Sequence, residues 1–187
     1  MYRSARLRQV FQMEKMDCSD RPSPGGGACY ELELYIAVYQ CEGLAQGLYH
    51  YCPQHHRLGR VCDWNPDLAQ LMAGASHATR RDEAVPPQVL VVVASRFARV
   101  AWKYEAIAYA LMLKNLGCLY QTMYLVATAM GLAPCALGTG NADLFSQLIG
   151  SEYYAETSIG EFTLGSVPEC LADEPKQLMM EPVDWQA

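Results

Sequence analysis

An α+β fold, with one mixed sheet flanked by helices, is what this 187-residue chain predicts. Three observations carry that prediction. The stretch "PPQVLVVVAS" (86–95) is a continuous apolar run bounded by prolines and a serine, the pattern of a strand covered on both faces. The segment Trp102 to Met130 repeats apolar residues at three- and four-residue steps, the pattern of a long helix. Around them lie short runs with strand composition, separated by turn residues.

Taken in order, Glu33 to Tyr39 is a strand of β-branched and aromatic residues that follows three glycines. "GLYHYCP" and "HHRLGRV" continue as a meander of short strands after a turn at Glu42 to Gln46. Asn65 is placed to cap a helix starting at Pro66, because its side-chain oxygen can take a free N–H and proline suits a first turn. Ala75 to Val85 is polar and charged and reads as an exposed helix or loop. Within the long helix the stripe is Tyr109, Leu113, Leu116, Tyr120, Met123 and Ala127, and Gly131 ends it. "APCALG" reads as a buried strand, "NADLFSQLIG" as a capped helix and "SIGEFTLGSVP" as the last strand. No repeat or linker divides the chain. One domain over 1–187 is expected, with a short opening segment (1–20) and an irregular tail (169–187).

Composition narrows the function classes. Hydrophobic residues make up 51% and charged residues 18%, enough for a packed core. With a net charge of −6 and no basic stripe, nucleic acid is not an expected partner. The eight cysteines form no CxxC and no cluster with histidine, so no metal site is expected. They read as reduced thiols of a cytoplasmic protein. Leu116 to Met130 contains Gln121 and Thr122 and is shorter than the roughly 20 residues a bilayer needs, so no membrane span is expected. His55-His56 beside Arg57 reads as a solvated turn.

Gly25-Gly26-Gly27 has two readings. It is a turn, or it is a loop without Cβ atoms that lets a flat ligand approach the backbone. It is neither a GxGxxG opening a helix nor a P-loop.

The segment "PGGGACYELELY" resembles "PSGGALYPLELY" of the SagB-type dehydrogenases, the azoline-oxidase branch of the nitroreductase-like flavoproteins. The resemblance runs on through "GLYHYCPQHHRLGRV", through "VVVASRFARVAWKYEAIAYALMLKNLGCLYQTMYLVATAMGLAPCALG" and into "TLGSVP", covering roughly residues 21 to 168 in collinear order. It implies a mixed sheet flanked by helices, a homodimer meeting along the long helix, and FMN at the subunit interface. By the resemblance, Pro24, Gly25, Gly26 and Gly27 line the flavin. Leu137, Gly138 and Thr139 present backbone N–H groups to its ring. Gln121 matches a recurrent glutamine on the long helix. Lys103 and Tyr104 match a Lys-Tyr pair that moves protons. Dehydrogenating an azoline sends a hydride to flavin and a proton to a base, and a positioned base contributes about 10²- to 10⁴-fold. For lysine that requires a pKa well below its ordinary value of about 10.4. "YRSAR" at 2–6 has the letters of a phosphate-holding motif, which assigns Arg3, Ser4 and Arg6 to the FMN phosphate.

The chain also departs from the pattern. Gly25 stands for a serine, Tyr30-Glu31 for "YP", Cys118 for a histidine, and Ile107 and Leu111 for arginines. Only 16 residues separate Arg6 from Ser23, too few for the usual intervening helices, and the tail offers only Lys176 as a late basic anchor. The expected function is FMN-dependent dehydrogenation of a small heterocycle or a peptide-borne azoline, with oxygen as electron acceptor and other peptide-modifying enzymes as partners. The alternatives are an NAD(P)H-dependent nitro or quinone reductase, and a non-catalytic subunit of a peptide-modifying complex.

Overall fold

The computed structural model of the chain describes residues 1–13, 16–79 and 85–167. Its centre is a six-stranded sheet built from β3 (Leu32–Val38), β4 (Gly47–Cys52), β5 (Arg57–Asp63), β6 (Val89–Arg96), β7 (Leu132–Leu137) and β8 (Glu156–Ser166), in the order β5-β4-β3-β6-β8-β7. All five neighbouring pairs are antiparallel. A separate ribbon of β1 (Gln9–Met13) and β2 (Met16–Asp20) occupies the short front end, a hairpin that composition did not reveal.

The "VLVVVA" run is the inner strand β6, paired with β3 on one side and β8 on the other. Its alternate residues explain the unbroken apolar run. Leu90, Val92 and Ala94 face the core under α2 (Pro66–Ala78) and α5 (Ala142–Ile149), while Val91 and Val93 face α1 (Tyr2–Ala5) and α4 (Ala108–Ala129). Both α2 and α5 are capped where expected. Leu68 N–H donates to Asn65 Oδ1 (2.9 Å), and Leu144 N–H donates to Asn141 Oδ1 (3.0 Å).

Four details differ from the sequence reading. The long helix is broken: α3 (Ala98–Tyr104) and α4 are separated by a 3-10 turn at Glu105–Ile107, with Glu105 at φ 43°. No glycine or proline marks that break. The buried face of α4 is Ala108, Met112, Asn115, Leu116, Leu119, Met123 and Ala127; Tyr109 and Leu113 are 61% and 41% exposed, one residue off the packed face. The "APCALG" strand is β7, a half-buried sheet edge and not an interior strand. Ala75 and Ser76 are buried in the last turns of α2, so only the end of the polar stretch is exposed; its residues 80–84 lie outside the described residues. So does the tail from 169, with Lys176.

Candidate active site

The break between α3 and α4 makes a corner, and the glycine loop sits in it. Gly26–Ala28 forms a 3-10 turn after Gly25, and Gly27 has φ 61°. A Cβ at Gly27 would strike the Tyr104 hydroxyl and approach Lys103 Nζ to 3.1 Å, and one at Gly26 would lie 2.7 Å from the Leu111 side chain. The absent Cβ atoms are thus used by the protein's own side chains, and the two predicted catalytic residues meet the predicted loop. Lys103 Nζ lies 5.6 Å from the centroid of the Tyr104 ring; Lys103 is exposed and Tyr104 half-buried.

The corner is strained. Ala28 (φ 54°), Tyr30 (45°) and Glu105 (43°) all take left-handed backbone that a side chain disfavours by roughly 1–2 kcal/mol each. Such strain persists where surrounding contacts over-determine it, and it concentrates at functional sites. Here the contacts are long-range. Gly26 N–H donates to Asn115 Oδ1 (3.0 Å), Asn115 Nδ2 donates to Glu31 Oε1 (2.9 Å), and Arg21 N–H donates to the Tyr30 hydroxyl (3.3 Å). Cys29, buried beside the loop, has its thiol pushed up by burial and pulled back by Lys103.

The second predicted loop opens elsewhere. Leu137, Gly138 and Thr139, with Gly140, line a groove of about 250 Å³ whose other walls include Phe97, Tyr109 and Gly160. Gly138 has open space where a Cβ would be. This is a surface a flat aromatic group fits: small residues, exposed backbone and three aromatic side chains, Phe97, Tyr109 and Tyr153. Ile159, which lines it, also packs against the cluster of Cys29, Val100, Ala108 and Met112, so the groove and the corner share a wall.

The remaining predicted residues are dispersed. Ser4 is buried in α1, Arg3 is exposed, and Arg6 donates to the Tyr2 carbonyl (3.1 Å) with its guanidinium over the Tyr2 ring. Ala5 of the same helix lines a small cavity with Pro24 and Gly25. Gln121 is exposed on α4. His56 Nδ1 lies 2.9 Å from the Tyr51 hydroxyl in the exposed β4–β5 turn.

Sequence reasoning missed a charged cluster at the sheet end below the corner. Glu33, nearly buried, meets His50 Nε2 (3.0 Å), Arg96 (3.2 Å) and Arg99 (3.7 Å), and Arg96 continues to Glu156 (2.8 Å). Burial alone would raise the Glu33 pKa, but the His50 hydrogen bond and the charges of Arg96, His50 and Arg21 outweigh it and hold the carboxyl below its ordinary value. The paired arginines of "SRFAR" were the available signal. A second carboxyl behaves oppositely. Glu161, 2% exposed beneath Gly140, is pushed by burial up to about 7, against the pull of a hydrogen bond from the Asn141 backbone. Among the described residues, no group of three His, Cys, Asp or Glu could hold a metal, and no helix is long and apolar enough to cross a membrane.

A family model for the nitroreductase family matches residues 22–165. The chain belongs to the nitroreductase family. Among curated relatives, a Methanocaldococcus jannaschii protein named for nitroreductase, MJ1384, is 30% identical over 115 residues, covering 62% of this chain and 56% of that protein. The trifolitoxin-processing protein TfxB of Rhizobium leguminosarum is 32% identical over 111 residues, covering 58% of this chain and 30% of TfxB. The chain therefore spans about half or less of the relatives it matches. The nitroreductase fold recurs in the Escherichia coli microcin synthetase McbBCD complex, solved with truncated pro-MccB17, at a TM-score of 0.70 and 20% identity over 90% of this chain and 61% of that one. Its relatives thus include one protein named for nitroreductase and one named for trifolitoxin processing.

Proposed function

We propose that the protein is an FMN-dependent dehydrogenase that oxidises a heterocycle of azoline type carried on a peptide. The observation that carries this is the convergence of Gly27, Lys103 and Tyr104 at a strained corner. FMN, when bound, would supply the acceptor for the substrate's hydride, which carries both electrons, with oxygen as the final oxidant. Leu137, Gly138 and Thr139 would hold its ring against open backbone, with Gly25, Gly26, Gly27 and Pro24 on the neighbouring wall. Arg3 and Ser4 on α1, Arg6 just after it and Gln121 on α4 are the further proposed contacts. Lys103 takes the substrate proton at Nζ, and the Tyr104 hydroxyl relays or orients it. The trifolitoxin-processing name of TfxB supports a peptide substrate, and the likeness to the microcin synthetase McbBCD complex supports partner enzymes. A homodimer is supported by the exposed apolar residues Trp102, Ile107, Tyr109, Leu113 and Leu125 along α3 and α4.

Anaerobic stopped-flow reduction of bound FMN tests the assignment. Lys103→Ala is expected to keep the flavin and slow its reduction by substrate about 10²- to 10⁴-fold, and Tyr104→Phe to slow it less. Reduction at the wild-type rate would remove Lys103 as the base, and loss of FMN would make it an anchor. The name of MJ1384 favours a second reading, a nitro or quinone reductase; fast bleaching of the flavin by NAD(P)H in the same instrument would select it.

A further inference from the structure

Asn115 joins the two ends of the strained arc. Its Oδ1 accepts from Gly26 N–H at 3.0 Å, and its Nδ2 donates to Glu31 Oε1 at 2.9 Å. Between those anchors lie Gly27, Ala28 and Tyr30, all at positive φ. Both side chains are removed from water, with Glu31 at 0% and Asn115 at 6% exposure. A neutral amide serves both ends because it offers an acceptor and donors from one group; a carboxylate has no donor and an aliphatic side chain has neither.

Burying a carboxylate is costly unless it is satisfied. Glu31 Oε2 has no hydrogen-bond partner among the described residues, and neither has Arg21 Nε; both residues line a cavity of about 20 Å³. The cavity is thus lined by a buried carboxyl and a half-buried guanidinium, each with one polar atom unpartnered among the described residues. Glu31 stands where the resembling segment "PSGGALYPLELY" carries proline.

We infer that Asn115 and Glu31 are positioning residues, a clamp that holds residues 26–31 in their left-handed turn and so keeps Gly27 against Lys103 and Tyr104. The inference rests on the proposed role of that pair, but the clamp is measurable without it. Arg21 is the second tether, through its N–H on the Tyr30 hydroxyl and its guanidinium 5.0 Å from the Tyr30 ring centroid. It grips one end of the arc, whereas Asn115 grips both.

The test is amide hydrogen exchange across Gly26 to Cys29 in the full chain without flavin, with the amides of β6 as a control for global opening. Asn115→Asp keeps an acceptor for Gly26 but sets a carboxylate against Glu31. Exchange in the loop is expected to rise about tenfold, the scale of one lost hydrogen bond, while β6 stays protected. Adding Glu31→Gln restores a donor facing the introduced carboxylate, with donor and acceptor exchanged, and is expected to return the loop to near wild-type protection. Unchanged loop exchange in Asn115→Asp overturns the clamp, and so does failure of the double variant to recover. Because exchange is read without cofactor or substrate, this outcome is independent of the Lys103 kinetics.

Discussion

The two glycine-bearing loops look alike in the sequence, and the structure uses them in opposite ways. At Gly26 and Gly27 the space left by a missing Cβ is filled by Leu111, Tyr104 and Lys103 of the same chain. At Gly138 the equivalent space is open, and a groove of about 250 Å³ lies beside it. The first loop bends through left-handed residues and is tied down from α4; none of Leu137, Gly138 and Thr139 has positive φ. Glycine therefore serves internal close packing at Gly26 and Gly27 and external access at Gly138. A shared composition does not imply a shared partner.

Gly27→Ala should show the largest effect on stability. It combines a left-handed φ with a collision against Tyr104, so about 2–4 kcal/mol should be lost, seen as a lower midpoint in urea unfolding. A loss under about 0.5 kcal/mol, the range of an ordinary surface change, would mean that the corner yields and that the contrast between the loops is weak.

The neighbouring Glu161 supplies a smaller and pH-dependent effect. The folded protein keeps its proton to about pH 7, whereas the unfolded chain releases it near 4.5. Its contribution is therefore complete below pH 4.5 and lost as pH rises through 7, by up to about 3 kcal/mol. Glu33 has the opposite sign: its lowered pKa gives stability that is lost only as pH falls below the ordinary carboxylate range. Between pH 5 and 8 the decline should belong to Glu161, and Glu161→Gln should flatten it. An equally steep decline in that variant would place the titrating group elsewhere.

Gly138→Ala should have the smallest effect on folding. With nothing within contact of the added methyl, the unfolding midpoint should move by less than about 0.5 kcal/mol. FMN titration should nonetheless show weaker binding, by about tenfold if the methyl costs the ring one close contact. Unchanged FMN affinity would return both loops to the same status.

Strand and helix identities were legible because they depend on local pattern. The buried run of β6, the hairpin of β4 and β5, and the Asn65 and Asn141 caps each follow from residues close together in the chain. The contact of the glycine loop with Lys103 and Tyr104 was not legible: the resemblance named both sets of residues for different roles, and no spacing in the sequence connects them. The break at Glu105 was hidden, because a left-handed glutamate carries no composition signal and is held by packing around it. Likewise the stripe on α4 was read one residue off at Tyr109 and Leu113. Apolar side chains cover more than one face of that helix, and only the neighbouring sheet selects which face is buried.

What the amino-acid sequence determined by itself is the strands of the six-stranded sheet, most of the helices packed on it, their order and the small residues at two loops. Those rest on backbone sterics, capping hydrogen bonds and periodic burial, all of which act within a few residues. Only the tertiary structure decided which loop is filled and which is open. It also decided that Asn115 reaches Gly26 across 89 residues and Glu31 across 84, and that Glu161 is buried while Glu33 is charged among arginines. The physical reason is that desolvation and close packing depend on what surrounds a side chain in space, and that surrounding exists only once the sheet and its helices have closed over it.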